Sequence, residues 1–336
     1  VFACQARLGP QAWRRRYRRM RRGVLFFCAL FVAQYAMAAS SPVTINQIQF
    51  VGSHNSYKQA MSALIYKALH LLDAEVAESL EYWHEPLADQ LDLGLRKLEI
   101  DLFYDARDQS FPVGHAQIID MNSHCDTLLV CLQEVRVWSE KNPRHTPIWI
   151  SFNLKDQAIP VLPDPEPFTA AALDALDTQL RGALGPQLIW PADVQGLRWP
   201  TLEEARGKVL LILDEGGAKR DWYYSNWQTR PMFTNAPEGH PAAAVMIIND
   251  PITDFDRIQR LVKAGYLVRS RADADTREAR ANDTRRRDQA FASGAQAIST
   301  DYYLPATHFG NDYQVAIAGG IRCNPVLMHD TCRVVE

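Results

Sequence analysis

Eight short apolar runs that alternate with helical patterns predict an α/β fold, a closed (β/α)8 barrel of the TIM type. The strand-like runs cover residues 45–52, 96–103, 111–116, 146–154, 208–214, 243–250, 265–271 and 295–301. The helical patterns cover residues 58–81, 126–141, 168–184, 254–264 and 276–293. Nearly continuous apolar strands are typical of a parallel sheet that is buried on both faces, and eight of them fit a barrel. A doubly wound open sheet is the alternative.

The first 38 residues have the pattern of a secretory signal peptide. They contain eight arginines and no acidic residue, and an apolar run over residues 24–33 is followed by an A-x-A site at residues 36–38. The apolar run is about half as long as the roughly 20 residues of a membrane-spanning helix. We therefore expect cleavage after residue 38, with Met20 as an alternative start, and one secreted or periplasmic domain over residues 39–336.

Composition and charge exclude two classes of protein. The 336 residues are 47% hydrophobic and 10% aromatic, which excludes an intrinsically disordered chain. The formal net charge is −3, and it becomes −11 when the eight arginines of residues 1–38 are removed. Nucleic-acid binding requires a basic surface, so we expect no nucleic-acid partner.

Four cysteines follow residue 38, and they predict two disulfides. Cys125 and Cys131 are close in sequence, as are Cys323 and Cys332. An even number of cysteines is typical of an exported domain with paired thiols. Three pairings are possible, and we favour the two local ones because each closes a short loop. A zinc site is the weaker alternative, since the chain contains no C-x-x-C motif.

Polar side chains cluster where the predicted strands end. The carboxyl ends of barrel strands form the catalytic face, so we expect an active site there. Glu99 and Asp101 are two residues apart on one strand, which directs both carboxylates to the same face. Adjacent carboxylates repel each other unless a cation lies between them, so the pair is a candidate metal site. The alternative is that either acid pairs with Arg96 or Lys97 at the rim.

Two histidines accompany this acidic pair at the same predicted end of the barrel. His54 follows the first strand in GSHNSY, and His115 ends the third predicted strand in VGHA. Each histidine by itself is more often structural than catalytic. Two imidazoles beside a cation site can act as general base and general acid at one phosphorus, while the cation neutralises the phosphoryl oxygens. The combination favours phosphodiester chemistry.

In their order along the chain, these motifs resemble the catalytic region of phosphatidylinositol-specific phospholipases C. The matching segments are GSHNSY, LEIDLFYD, GHA and PIWISFNLKD, and residues 269–303 resemble the calcium-dependent secreted bacterial branch. The resemblance covers about residues 45–303. It implies attack of the inositol 2-hydroxyl on phosphorus, with diacylglycerol and a cyclic inositol phosphate as products.

The resemblance also implies roles for individual residues. His54 and His115 match the two catalytic histidines, and His115 matches the general acid for the leaving group. The implied ligands of a Ca2+ cofactor are Asn55, Glu99, Asp101 and Asn153. The implied substrate contacts are Lys155, Arg271 and Tyr303. Eukaryotic relatives have a glutamate at the position of Asn153, so this chain has one ligand charge fewer, and weak calcium binding is expected.

Two other functions stay open from the sequence. A glycerophosphodiester phosphodiesterase shares the order His, E-x-D, His, but it typically has Arg after the first histidine, where this chain has Asn55. A non-catalytic barrel that binds a lipid head group or a sugar is favoured only by Asn153.

The expected partner is phosphatidylinositol or a related phosphodiester at a lipid surface, which a monomeric enzyme contacts peripherally. Because the chain after residue 38 is acidic, apolar side chains are expected to make that contact. The candidate docking residues are Trp222, Tyr223, Tyr224 and Trp227. Buried packing is the alternative for these rings.

Overall fold

Eight parallel strands form a nearly closed barrel in the computed structural model, which describes residues 42–160, 162–328 and 332–336. The strands are β1 (Ile48–Ser53), β2 (Lys97–Leu102), β3 (Ile148–Leu154), β4 (Val209–Leu213), β5 (Met232–Thr234), β6 (Val245–Ile247), β7 (Leu267–Arg271) and β8 (Ala297–Thr300). They pair in the order β5-β4-β3-β2-β1-β8-β7-β6, and a parallel bridge between Thr234 and Ala243 joins the two ends. The predicted barrel is confirmed, and the predicted signal peptide lies outside the described residues.

Helices follow most of the strands. They are α1 (Ala63–Leu72), α2 (Ala74–Ser79), α3 (Leu87–Asp92), α4 (Leu128–Lys141), α5 (Ala170–Leu184), α6 (Gly217–Tyr224), α7 (Phe255–Lys263), α8 (Arg277–Ala281) and α9 (Arg285–Ala292). The hydroxyl of Thr169 caps α5 by accepting the Ala172 N–H, and the buried leucines of α5 recur every three or four residues. In the part of the chain that the structure describes, no helix is long and apolar enough to cross a membrane.

The strand count was predicted correctly, but one strand was assigned to the wrong segment. Residues 111–116 lie in the connection between β2 and α4, where Val113 makes only an isolated antiparallel bridge to Leu102. The missing barrel strand is β5, which has three residues and is too short to show a periodic pattern. His115 therefore lies in the connection after β2 and ends no barrel strand.

Alternating residues of the strands fill the barrel interior, and their polarity changes along it. At the amino ends these residues are apolar and form one cluster that includes Phe50, Trp149, Leu210 and Leu267. Two and four residues further on, a strand presents polar side chains to the same interior; β3, for example, continues from Trp149 to Ser151 and Asn153. The apolar layer thus closes the bottom of the barrel and leaves the polar layers at the carboxyl ends.

A ninth strand and two disulfides complete the described domain. The strand β9 (Ile321–Cys323) pairs antiparallel with β1. Both local disulfides are formed, with S–S distances of 2.06 Å for Cys125–Cys131 and 2.10 Å for Cys323–Cys332. All four cysteines are therefore paired, and none of them is available to zinc.

The four predicted docking residues pack against the protein. Tyr223 is fully buried, and its hydroxyl donates to Asp177 Oδ1 at 2.6 Å. The ring of Trp222 lies 4.3 Å from the Arg230 guanidinium, and the Tyr224 and Trp227 rings pack partly buried against a core cluster. For Tyr223 the alternative of buried packing is therefore correct and lipid contact is wrong; Trp222, Tyr224 and Trp227 are half-buried.

A buried carboxylate joins the ends of β7 and β8. Asp273 accepts the backbone N–H of Asp301 at 2.8 Å, and it also contacts the hydroxyls of Thr300 and Tyr313. Burial, together with the neighbouring Asp301 carboxylate, raises the pKa of Asp273 to about 7. Asp273 thus holds the segment that carries Asp301.

We expect Gly52→Ala to destabilise the barrel. Gly52 lies opposite Lys97 where β1 and β2 pair, and an added Cβ would overlap the Lys97 carbonyl oxygen and Cβ. The free energy of unfolding should fall by about 1–3 kcal/mol or more. Gly182→Ala is the control, since Gly182 is at an exposed position of α5 and nothing lies within 4 Å of its added Cβ. That change should raise stability by about 0.5–1 kcal/mol. Urea denaturation measures both, and equal effects would contradict the close approach.

A second stability prediction concerns pH and Asp273. In the unfolded chain the carboxyl loses its proton near its ordinary pKa of 3.8, but in the folded chain only near 7. Its contribution to stability is therefore complete below the unfolded pKa and is lost as the pH rises to about 7. Asn resembles the protonated acid, so Asp273→Asn should gain stability relative to the wild type between about pH 5 and pH 8. Thermal melts at both pH values test this, and a constant difference between the two proteins would contradict it.

Candidate active site

A cavity of about 680 Å³ opens at the carboxyl ends of the strands, where the sequence predicts the site. Its lining includes His54, Glu99, His115, Asn153, Lys155 and Arg271. These side chains come from β1, β2, β3 and β7 or from the connections that follow them. The barrel therefore brings six of the nine predicted catalytic, metal-binding and substrate-binding residues to one cavity.

His54 lies between two carboxylates at the end of β1. Its Nδ1 is 2.9 Å from Asp301 Oδ1, and its Nε2 is 3.6 Å from Glu99 Oε1. Burial and then the Arg271 guanidinium lower the pKa of His54 below 6.5, although Asp301 and Glu99 act in the opposite direction. The imidazole is therefore neutral at pH 7. Because Nδ1 faces the Asp301 carboxylate, we place the ring proton there, which leaves the lone pair on Nε2.

His115 has a similar arrangement on the other side of the acidic pair. Its Nδ1 lies 3.3 Å from Asp120 Oδ2, and the side chain is 27% exposed. Asp120 in turn accepts the Lys58 ammonium at 2.6 Å. Burial raises the pKa of Asp120, but His115 and Lys58 together lower it below its usual range. A buried, ionised carboxylate thus lies behind each histidine.

Sequence reasoning assigned no role to these two carboxylates. Asp301 is the last residue of a predicted strand and so belongs to the polar strand-end residues, but nothing in the sequence marks it as the partner of a histidine. Asp120 has no such signal, because it reaches His115 only through the fold of the connection after β2, where Ala116 and Asp120 form an isolated bridge. Their pairing with histidine is a property of the tertiary structure.

Glu99 is already paired with two cations inside the barrel. Its Oε2 accepts Lys97 Nζ and, at 2.8 Å, Arg269 Nη2. Burial raises the pKa of Glu99, but Lys97 and Arg269 lower it well below its usual range, so the carboxylate is ionised. Burial lowers the pKa of Lys97 to about 8, which leaves it protonated at pH 7. The pairing with Lys97 lies in the interior rather than at the rim, and Arg96 instead binds Glu336 at 2.6 Å.

Asp101 is fully buried and is also compensated. Its Oδ2 accepts the Tyr57 hydroxyl at 3.0 Å and lies 2.8 Å from Lys155 Nζ. Its Oδ1 and the Oε1 of Glu99 both accept Asn153 Nδ2, each at 3.0 Å. Oε1 of Glu99 and Oδ1 of Asp101 therefore converge on Asn153 Nδ2. The second oxygen of each acid is bound by cationic side chains and, in Asp101, also by the Tyr57 hydroxyl.

This arrangement permits a test of whether the residues fit calcium. Glu99 and Asp101 offer one converging oxygen each. The side chain of Asn55 is buried: its Nδ2 donates to the Tyr82 hydroxyl at 2.8 Å, and its Oδ1 has no hydrogen-bond partner. Oxygen donors of this kind suit calcium. Across the described ranges, no group of three or more His, Cys, Asp and Glu side chains is arranged around a metal position. The donor chemistry of Asn55, Glu99 and Asp101 thus suits calcium, whereas Asn153 presents its Nδ2 and not its oxygen to the two acids.

Two predicted substrate contacts line the cavity, and the third does not. Lys155 lies there while also pairing with Asp101, and Arg271 lies there beside His54. Tyr303 is buried elsewhere: its hydroxyl accepts the Glu85 N–H at 2.9 Å, and its ring stacks on His84. Tyr303 therefore does not line the cavity, where the resemblance implied a substrate contact.

Several further polar residues line the cavity without a predicted role. They are Gln117, Gln157, Asp214, Glu215, Asn235, Asn249 and Arg269. Burial raises the pKa of Asp214 to about 6. Asn235 could not be found from the sequence because β5 was missed, whereas Asp214, Asn249 and Arg269 occur at predicted strand ends.

Comparison with known proteins identifies the same family that the sequence motifs resemble. The family model described as calcium-dependent phosphoinositide phospholipase C matches residues 43–112 and 107–325, which is well over half of the chain. No curated protein matches the chain at a significant level.

Two solved structures show the same fold. The calcium-dependent phosphoinositol-specific phospholipase C of a Pseudomonas species, with myo-inositol, is 17% identical with a TM-score of 0.55, over 85% of this chain and 97% of that one. The calcium-dependent phosphatidylinositol-specific enzyme of Streptomyces antibioticus is 20% identical with a TM-score of 0.54, over 82% of this chain and 100% of that one. At these identities the likeness concerns the fold alone. The family model spans both the barrel and its cavity, so the chain belongs to the calcium-dependent phosphoinositide phospholipase C family, as the motifs predicted.

Proposed function

We propose that this chain is an exported, monomeric phospholipase that cleaves phosphatidylinositol, with His54 and His115 as its acid–base pair. The observation that carries the proposal is that both histidines line one cavity and that each has a buried carboxylate behind it. Family membership supports the substrate class. The two disulfides support export, because disulfides persist in oxidising compartments.

The substrate supplies its own nucleophile in this mechanism. The inositol 2-hydroxyl attacks the adjacent phosphorus, and the bond from phosphorus to the glycerol oxygen breaks. Both groups belong to one bound molecule, so the reaction gains a high effective concentration. The products are diacylglycerol and a cyclic inositol phosphate.

His54 is the base and His115 is the acid. The lone pair on His54 Nε2 takes the proton of the 2-hydroxyl, and the new charge on the ring is stabilised by Asp301 and by Glu99 Oε1. His115 gives its proton to the glycerol oxygen, and the Asp120 carboxylate lies 3.3 Å from its Nδ1. After one turnover, proton exchange with water restores both rings.

Two cationic side chains in the cavity stabilise the phosphoryl group. Arg271 lies beside His54, with Nη2 3.3 Å from Asp301 Oδ2, and it is directed towards the cavity that receives the substrate. Lys155 lies across the site on Asp101. Positive charge at these positions offsets the negative charge that develops on the phosphoryl oxygens.

Calcium binding is proposed at Asn55, Glu99, Asp101 and Asn153. When bound there, the ion supplies positive charge to the phosphoryl oxygens and acidifies the attacking hydroxyl. Lys97, Arg269 and Lys155 already compensate the two carboxylates, so the site attracts a divalent cation weakly. Asn153 adds no charge.

The reaction is tested by measuring diacylglycerol release from phosphatidylinositol vesicles, with and without calcium. Glycerophosphoinositol and phosphatidylcholine vesicles are assayed in parallel. Cleavage of phosphatidylinositol alone supports the proposal. Cleavage of glycerophosphoinositol alone would indicate a glycerophosphodiester phosphodiesterase. Binding of inositol phosphate without any cleavage would indicate a non-catalytic barrel.

We expect His54→Ala and His115→Ala each to lower kcat about 10²–10⁴-fold, the usual contribution of a positioned acid or base. Thermal stability should change far less, since both rings lie at the partly exposed mouth of the barrel. His240→Ala, outside the cavity, is the control and should retain kcat. Activity within about tenfold of the wild type in either variant would remove that histidine from the mechanism.

We expect calcium to bind with a dissociation constant of about 10⁻⁴–10⁻³ M, the range of weak extracellular sites. Asn153→Asp should tighten binding, because it adds a third carboxylate at the same side-chain length. Asn153→Leu should weaken binding, because it removes the amide. Isothermal titration calorimetry measures all three proteins, with circular dichroism as the folding control. Equal affinities would remove Asn153 from the ligand set, and submicromolar binding would contradict the weakening by the three cations.

A further inference from the structure

A fully buried lysine lies behind the carboxylate that faces His115. Lys58 is 0% exposed, and its Nζ donates to Asp120 Oδ1 at 2.6 Å. The other oxygen of Asp120, Oδ2, lies 3.3 Å from Nδ1 of His115. Lysine is almost never buried completely unless its charge is paired, so this ammonium depends on Asp120 for its place. Because Lys58 is buried and does not line the cavity, it can act on a substrate only through other side chains.

The backbone around Lys58 joins two connections of the barrel. Lys58 lies in the connection after β1, where its N–H donates to the Asn55 carbonyl at 2.9 Å. It also forms an isolated antiparallel bridge with Ser123, which lies in the connection after β2. The ammonium reaches Asp120 in that same second connection, 62 residues further along the chain. Lys58 thus links the connection after β1 to the one that carries His115.

The connection that carries His115 has no regular secondary structure to hold it. Residues 103–127 contain neither a helix nor a barrel strand. Within this connection the N–H groups of His115 and Ala116 both donate to the Asp120 carbonyl, at 2.9 and 3.2 Å. The Asp120 N–H in turn donates to the Ala116 carbonyl at 2.8 Å. Asp120 therefore closes a small loop that includes His115, and its side chain ties this loop to Lys58.

The cation behind Asp120 differs from its counterpart at His54. Asp301, which faces His54, lies 3.3 Å from Arg271, and Arg271 lines the cavity. Arg271 is therefore accessible to a substrate as well as to its carboxylate. Lys58 has no such access, so its charge serves Asp120 alone.

Stability by itself does not account for this buried ion pair. Apolar side chains of similar volume often stabilise a core as well as a buried ion pair does, or better. The pair instead supplies a direction, because Lys58 holds Oδ1 of Asp120 while Oδ2 faces Nδ1 of His115. Burial raises the pKa of Asp120, but His115 and Lys58 lower it below its usual range, so the carboxylate is ionised. With Nδ1 directed to the carboxylate, Nε2 is the nitrogen of His115 that can donate to a substrate.

We propose that Lys58 is a positioning residue for the acid step, which holds Asp120 against Nδ1 of His115 so that Nε2 delivers its proton to the departing oxygen. In that step the bond between phosphorus and the departing oxygen breaks, the proton of Nε2 completes the new hydroxyl, and Lys58 keeps its own protons. The proposal rests on the proposed function, because it assigns a role within that reaction. Only the acid step involves the ammonium, so replacing the Lys58 side chain should leave the base step intact.

The test uses two water-soluble substrates that differ in their need for an acid. Dibutanoyl phosphatidylinositol releases a glycerol oxygen, which must be protonated as it leaves. p-Nitrophenyl inositol phosphate releases nitrophenolate, a stable anion that leaves without a proton. Both substrates contain the attacking 2-hydroxyl and the same phosphoryl group. General damage to the site therefore lowers kcat for both, whereas loss of the acid step lowers kcat for the first alone.

Lys58→Met should lower kcat for dibutanoyl phosphatidylinositol about 10–100-fold, as expected when a partner that orients a functional histidine is lost. The kcat for p-nitrophenyl inositol phosphate should stay within about threefold of the wild type. His115→Ala should show the same selectivity with a larger loss. Added to His115→Ala, Lys58→Met should change either kcat by no more than about twofold, because Lys58 acts through His115.

Two further variants separate this role from folding. Lys58→Met leaves the Asp120 charge buried without its cation, which can itself destabilise the protein. The double variant Lys58→Met/Asp120→Asn removes both charges at nearly constant volume, and it should fold and show the same selective loss. Arg230→Met is the matched control, since it removes the cation from another buried pair, with Asp177 at 2.9 Å, outside the cavity. It should leave the ratio of the two kcat values unchanged, and circular dichroism with thermal melts checks the fold of every variant.

Three outcomes would overturn the role of Lys58 and leave the proposed reaction intact. They are unchanged kcat values in a folded Lys58→Met protein, an equal fall for both substrates in the double variant, and a further large loss when Lys58→Met is added to His115→Ala. Two others concern the proposed function itself. An equal fall for both substrates in His115→Ala would show that His115 is not the acid, and a wild type that cleaves neither substrate would contradict the reaction; the role of Lys58 is lost in both cases.

Discussion

The ionised carboxylate of Glu99, held between Lys97 and Arg269 in the closed interior, is the interaction on which the rest of the site depends. Removing one partner of a buried ion pair generally costs about 3–5 kcal/mol, because the remaining charge loses its compensation. Lys97 also donates to the Ser53 carbonyl at 2.8 Å, so it joins β1 to β2 next to the close approach at Gly52. The network binds Oε2 of Glu99 to Lys97 and Arg269 and leaves Oε1 facing His54 and Asn153.

The same network explains how a barrel with two adjacent acids can be stable before any metal binds. Glu99 and Asp101 would repel each other in isolation, but Lys155 and Asn153 complete their compensation. The compensation weakens the attraction for a divalent cation and, at the same time, keeps the Glu99 carboxylate ionised. Affinity for calcium and stability of the empty barrel are thus opposed in this arrangement.

The two histidines of the site are carried by different connections after the strands. His54 lies directly after β1, with its Nδ1 on Asp301, and His115 lies in the connection after β2, near Asp120. The helix α1, in the connection after β1, has no buried residue, and its Leu64, Leu71 and Leu72 are exposed.

The sequence by itself determined the barrel, the family, the two local disulfides and the strand-end residues that line the cavity. These features follow from local patterns: a period of two along each strand directs Glu99 and Asp101 to the same interior, and chain order places His54 directly after β1. Only the tertiary structure decided which charges meet. Lys97 pairs inside the barrel, Asp120 reaches His115 through an irregular connection, and Tyr303 turns away from the cavity. It also decided that Trp222 packs while Leu71 stays exposed, because burial depends on contacts between segments that are distant in sequence.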